Sequence, residues 1–186
     1  IEIDDALFEL FASEDRLMPH LHLSMQHGHD LILKRMKRRH LRGDAVDLVQ
    51  RLKARRPDLA IGADLIAGFP TETDEHHAAN LSIIEELDIV HGHIFPYSPR
   101  PGTPAARMPQ LDRGIVKARA SELREAVKAR RTAWLNTLVG ETMAVLAEKD
   151  GTGYAPNYAR VTCPPNANPG EIIPITAHAF KEGMLI

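Results

Sequence analysis

The stretch that most constrains the chain is Leu59-Ala60-Ile61-Gly62-Ala63-Asp64-Leu65-Ile66-Ala67-Gly68-Phe69-Pro70-Thr71-Glu72-Thr73. An apolar run carrying one carboxylate, Asp64, stops at Gly68, turns through Phe69-Pro70-Thr71 and enters a helical pattern from Asp74. A strand with apolar residues on both faces that feeds a helix through a glycine predicts a parallel α/β sheet. Ligands of such sheets sit beyond the carboxyl ends of the strands. Asp64 and the loop 68–73 are therefore expected near any site.

Around this strand the pattern reads as alternating strand and helix. Residues 1–3 read as the tail of a strand, and 5–13 as a helix with Leu7, Leu10 and Phe11 on one face. Residues 21–26 alternate apolar and polar, as a strand does. Asp30 is the expected N-cap of a helix over 31–36. Gly43-Asp44 opens the next helix, with Val46, Val49 and Leu52 inward, and 74–87 another, with Leu81, Ile84 and Leu87 inward. Residues 89–97 form the next strand. Four prolines and Gly102 make 98–109 a rigid loop, and a long helix is expected over 112–138.

At Gly140 the character changes. Stretches 141–149, 158–163 and 171–177 are β-like and separated by turns, which predicts a small β-barrel or meander. The expected organisation is an α/β domain over 1–139 and a β-rich unit over 140–186. Four parallel strands are few for a closed barrel, and the chain opens without a methionine. It is therefore expected to be a piece whose amino-terminal part lies ahead of Ile1.

Composition narrows the class. The 186 residues are 44% hydrophobic and 26% charged with a net charge of −2, so any basic surface has to be local. No apolar run has the length of a membrane span, and the first residues lack the layout of a signal peptide. One cysteine, Cys163, excludes an internal disulfide and fits a reducing cytoplasm. Phosphate-binding glycine motifs and a serine-hydrolase elbow are absent.

Several residues carry two readings. His20, His22, His27 and His29 lie within ten positions, and His91 and His93 on another strand. Imidazoles from two strands suit zinc or iron. Against this, alternation puts only His20 and His22 on one face, leaves His27 and His29 in a loop, and brings no HExxH or cysteine partner. Asp64 is either satisfied by amides or a basic partner, or lines an interior where it meets a polar ligand or a histidine. Glu72 reads as charge at a helix N-terminus. Lys34, Arg35, Lys37, Arg38 and Arg39 end a helix, either solvated or with Arg35 and Arg38 clamping a carboxylate or phosphate. Arg113, Lys117, Arg119, Arg124, Lys128, Arg130 and Arg131 occupy the other faces of the long helix, a plausible contact for a phosphate backbone.

Taken together, the strings stop being generic. Pro19-His20-Leu21-His22-Leu23-Ser24-Met25-Gln26-His27-Gly28, followed by Leu33-Lys34-Arg35-Met36-Lys37-Arg38, resembles a segment of the radical-SAM tRNA methylthiotransferases. The 64–73 strand and loop resembles their next motif, and Phe95-Pro96-Tyr97-Ser98-Pro99-Arg100-Pro101-Gly102-Thr103-Pro104-Ala105-Ala106 the one after. The string 95–108 is most similar to the branch acting on threonylcarbamoyladenosine. Departures lie in Ser24-Met25-Gln26-His27-Gly28-His29, where the family more often reads Pro-Leu-Gln-Ser-Gly-Ser, and at Met18, where a cysteine is common.

The resemblance implies a partial open (βα) TIM-like barrel, its first strands missing, followed by a TRAM-like RNA-binding domain. It implies a parent enzyme that adds a methylthio group to C2 of an N6-modified adenosine beside the tRNA anticodon. S-adenosylmethionine and two 4Fe–4S clusters would be its cofactors, and a cytoplasmic monomer its expected state. On the matching positions Gln26 and Arg38 would meet the cofactor's ribose and carboxylate, Asp64, Ala67 and Gly68 would lie under sugar and adenine, and Phe95 and Tyr97 would flank the adenine. Lys117, Arg124, Lys128 and Arg131 would contact RNA. Clusters need several thiolates, so this chain alone is not expected to hold one or to turn over. A non-catalytic RNA-binding fragment and a zinc-dependent (βα) barrel hydrolase are the competing readings.

Overall fold

The computed structural model describes residues 3–186. Strands β1 (His20–Gln26), β2 (Ala60–Ala67) and β3 (Ile89–Pro96) pair in parallel in the order β1-β2-β3. The expected first strand falls largely on residues outside those described, and Ile3 itself is not in a strand. Helices α1 (Asp5–Ser13), α2 (Asp30–Arg35), α3 (Arg42–Arg55), α4 (Asp74–Glu86) and α5 (Arg113–Thr137) complete this part.

Helix boundaries follow local hydrogen bonding. α2 is capped by His29 rather than Asp30, because the His29 Nδ1 accepts from the Leu31 amide. Asp30 instead accepts from the Arg42 amide and so ties α2 to the start of α3. Thr73 caps α4 reciprocally: its Oγ1 accepts from the His76 amide while its own amide donates to His76 Nδ1. Histidine thus takes the place that glutamate or glutamine usually holds in a capping box.

One face of the sheet is dry. Leu21, Met25, Ile61, Ala63, Leu65 and Ala67 pack against Leu48, Val49 and Leu52 of α3, Ile83, Ile84 and Leu87 at α4, and Leu123 and Val127 of α5. Each such aliphatic side chain contributes about 1.5–3 kcal/mol by leaving water. The inward faces differ slightly from expectation. Phe8 rather than Leu10 is buried on α1, and Ile115 of α5 is exposed while its neighbour Val116 packs on Gly68.

A second sheet has the order β7-β4-β5-β6-β9-β8, with β4 (Thr142–Ala147), β5 (Thr152–Tyr154), β6 (Arg160–Thr162), β7 (Ile172–Thr176), β8 (Phe180–Lys181) and β9 (Met184–Leu185). The sequence pattern shows β4, β6 and β7 but not the short β5, β8 and β9. The core of this sheet takes Leu135 with Trp134 and Leu138 from the end of α5. α5 is therefore shared: its middle covers β2 and β3 and its last turns cover the small sheet. No helix among the described residues is long and apolar enough to cross a membrane.

Candidate functional site

The other face of the parallel sheet carries the chemistry. Alternation puts His20, His22 and Ser24 of β1 on that face. Register sets Gly62 and Asp64 beside them and His91, His93 and Phe95 beyond. A Cβ at Gly62 would stand 2.5 Å from His22 Nδ1, so its glycine is what lets the imidazoles close over β2. The rings of His20 and His91 lie 5.1 Å apart and those of His22 and His93 5.0 Å. Asp64 Oδ1 is 3.0 Å from His22 Nε2 and 3.3 Å from His93 Nδ1. Of the two readings of Asp64, the one in which it meets histidines is what the fold contains. His27 and His29 stay in the loop after β1 and do not join this row.

The amino-terminal end of the row is covered by the small sheet. His20 packs 4.5 Å from the ring of Tyr158. Arg131 Nη1 donates to His91 Nδ1 at 2.7 Å, so the neutral ring carries its proton on Nε2 and donates it to the Asn157 carbonyl at 3.2 Å. Burial, reinforced by the Arg131 cation, holds His91 down at about 4. Burial likewise lowers His20, with His22 adding to it.

Beyond the strand ends, loop 68–73 is locked from below by Glu72. Its fully buried carboxylate accepts from the amides of Gly68 (3.0 Å) and Phe69 (3.3 Å), from His27 Nε2 (3.2 Å) and from Arg119 Nη1 (2.8 Å). The His29 amide donates to His27 Nδ1, which places the His27 proton on Nε2, toward Glu72. Burial pushes Glu72 up, yet these partners outweigh it and hold its carboxyl below the usual range; burial pulls His27 below the usual imidazole range. Glu72 is thus a buried anchor of the loop, not charge at a helix end. Arg119, expected on an outer face of α5, is its buried cation and also pairs with Asp74. Asn80 is a third internal tie: Oδ1 accepts from the Gly28 amide and Nδ2 donates to the Ile66 carbonyl. Its place in the apolar stripe of α4 was the one sequence signal for it; for Arg119 nothing separated it from its charged neighbours.

The residues expected to hold the cofactor are distributed. Gln26 ends β1 after a register shift, buried and in a left-handed conformation (φ 67°). Arg38 is exposed and lines a cavity of about 670 Å³ with His22, Ser24, Met25 and His40 along the open edge of β1. Gln26, Asp64, Ala67, Gly68, Phe95 and Tyr97 do not line that cavity. The Ala67 carbonyl accepts from the Tyr97 amide, and the Gly68 amide is taken by Glu72. Phe95 is 51% exposed at the end of β3. Tyr97 packs edge-on to Phe69, and its hydroxyl is buried without a partner among the described residues.

The basic stripe of α5 divides in two. Arg124 donates to the Ile94 carbonyl and Arg131 to those of Val90 and, through His91, the seam with the small sheet. Both therefore cover the outer edge of β3, a natural way to blunt an unpaired strand. Lys117 and Lys128 are exposed and form no ion pair among the described residues.

No family model matches the chain. It is 42% identical over 184 residues, 99% of its length, to the threonylcarbamoyladenosine tRNA methylthiotransferase MtaB of Rickettsia prowazekii, of which it covers 44%. It is 41% identical over 151 residues to the tRNA-2-methylthio-N(6)-dimethylallyladenosine synthase of Maricaulis maris, covering 33% of that protein. The corresponding synthase of Ehrlichia chaffeensis is 37% identical over 146 residues, again with 33% covered. The chain thus spans less than half the length of the curated relatives it matches. Over most of its length the chain corresponds to a part of the tRNA methylthiotransferases, at 37–42% identity to these three.

Proposed function

We propose that this chain is part of an enzyme that adds a methylthio group to C2 of threonylcarbamoyladenosine beside the anticodon of tRNA. The observation that carries this is the 42% identity to a threonylcarbamoyladenosine tRNA methylthiotransferase across 99% of the chain. The three parallel strands are then a section of an open (βα) barrel, with further strands joining at the open edge of β1. The second sheet acts as a TRAM-like RNA-binding unit of a cytoplasmic monomer.

In this reading Gln26, Arg38, Asp64, Ala67, Gly68, Phe95 and Tyr97 hold S-adenosylmethionine. The fit is supported by an exposed cation, Arg38, in the segment after α2. The exposed Phe95 ring and the unpartnered Tyr97 hydroxyl support it at the end of β3. Both contacts of Asp64 use Oδ1, which leaves Oδ2 for the sugar. The 4Fe–4S clusters of the family supply radical cleavage of S-adenosylmethionine and the inserted sulfur when bound. Cys163, the only cysteine, packs in the core of the second sheet, and these residues do not form a thiolate set for a cluster. This chain's own share is binding and positioning: Arg38 neutralises the cofactor carboxylate, and Lys117 and Lys128 offer free cations to the RNA backbone, whereas Arg124 and Arg131, expected beside them, are engaged with carbonyls of β3.

The test uses the full-length parent protein. Nucleosides of tRNA from cells lacking its gene are analysed by mass spectrometry before and after complementation. Loss and return of the 2-methylthio form of threonylcarbamoyladenosine is expected; loss from isopentenyl-type adenosine instead moves the substrate to the other branch. Titration calorimetry of the parent and its Arg38→Ala variant is expected to show at least about tenfold weaker S-adenosylmethionine binding. Equal affinity rejects the assignment of Arg38. The free Lys117 and Lys128 also support a second reading, a tRNA-binding piece without chemistry of its own. That reading requires salt-sensitive tRNA binding by this chain.

A further inference from the structure

Three side chains on the open sheet face go beyond this reading. His22 on β1, Asp64 on β2 and His93 on β3 each offer one donor atom, and those atoms all lie within 4.8 Å of one another. From this we infer that His22, Asp64 and His93 form a binding site for a first-row divalent cation.

Geometry carries the assignment. Bonds of about 2.0–2.2 Å to one ion set neighbouring donors about 3.0–3.4 Å apart at octahedral to tetrahedral angles. The two edges that meet at Asp64 Oδ1 measure 3.0 and 3.3 Å. Each donor comes from the interior of a strand, and register holds the three side by side: His22 opposite Gly62, and Asp64 opposite His93. Strand positions give a more exact donor set than loops do. The absent side chain at Gly62 makes room for the His22 ring. No lysine or arginine of the described residues pairs with Asp64, so the carboxylate has imidazoles as its only partners.

The chemistry of the set selects the ion. Two imidazoles and one carboxylate suit zinc, iron(II), cobalt or nickel better than calcium or magnesium. The His93 side chain is 66% exposed and that of His22 32%, so the ion would be reachable and would keep coordination positions open to water or to an oxygen ligand. Neither cysteine nor sulfide takes part. The site is separate in chemistry from iron–sulfur ligation, and it does not rest on the methylthiotransferase reading.

The experiment uses the whole chain without an affinity tag, stripped with a chelator and dialysed. Zinc(II) is titrated by calorimetry and cobalt(II) by visible absorption. One equivalent of each is expected, with the cobalt spectrum of a nitrogen–oxygen site. His93→Ala and His22→Ala are each expected to weaken zinc binding by more than about tenfold, since even outer partners of a metal site matter that much. His178→Ala, on the small sheet, leaves it unchanged. Exposed His93 can be removed without disturbing the core, so an unfolded His22→Ala does not leave the question open. Absence of saturable binding, or binding that survives His93→Ala, overturns the site. Loss of S-adenosylmethionine binding in the parent bears on the functional reading and leaves zinc binding by this chain as it was.

Discussion

The two faces of one three-stranded sheet contrast sharply. Residues 61, 63, 65 and 67 of β2 point into a water-free layer sealed by α3, α4 and α5, and Ile61, Ala63, Leu65 and Ala67 are fully buried there. Residues 62 and 64 of the same strand point into a row of imidazoles that is buried at one end and open at the other. Side chains one position apart thus serve stability on one side and chemistry on the other. The strand period, more than any single residue, divides this molecule into scaffold and site.

That division is open to direct attack, most strongly through the buried ties of the scaffold. Glu72→Ala takes from Arg119 its buried partner, leaving only the solvent-exposed Asp74, and strips two amides of their acceptor. Such a break costs about 3–5 kcal/mol, and Leu65→Ala on the dry face about 2–5 kcal/mol. Urea midpoints read both. A Glu72→Ala loss below about 1 kcal/mol would show that the loop is not held from beneath.

A second, smaller effect sharpens the boundary where the wet face passes under the small sheet. His91 is held at about 4 while the unfolded chain takes up the proton near 6.5. Between these values the unfolded state binds more protons, so stability rises with pH through that window and is lost as pH falls toward 4. His91 alone contributes at most about 3–4 kcal/mol of this, and His27, lowered by burial, adds in the same direction. His91→Gln is expected to flatten the slope of stability against pH without abolishing it. An unchanged slope would mean that the seam through Arg131 and Asn157 does not hold the ring neutral.

The open end of the row should be cheap to alter. Asp64→Asn is expected to change stability by less than about 1 kcal/mol, as for other solvent-reached ion pairs, by thermal or urea unfolding. A core-sized loss would place Asp64 in the scaffold after all. Smallest is the outer surface of α5. Lys117→Ala with Lys128→Ala should stay within about 0.5 kcal/mol of the parent chain. If both contact phosphates, the same pair lowers the log–log salt slope of tRNA binding by about 1.4–1.8; no change in slope would remove them from the interface.

Much of the scaffold was legible because it depends on near neighbours. The parallel class followed from one apolar run ending in Gly68, helix α5 from its period, and the shared face of His20 and His22 from simple alternation. The motifs of β1, β2 and the loop after β3 pointed to the family before any coordinates. The short strands β5, β8 and β9 were not legible, since two or three residues carry no period.

The partners of charged side chains were set by packing and not by local pattern. Composition alone makes Arg119, Arg124, Lys128 and Arg131 equivalent. Packing buries the first against Glu72, lays the second and fourth along the edge of β3, and leaves the third in water. Asp64 and His93 lie far apart in the chain and become neighbours only through strand register. The physical reason is range. Hydrophobic periodicity is written in residues a few positions apart, whereas a charge or an imidazole finds its partner across elements, where only the closed fold sets the distance.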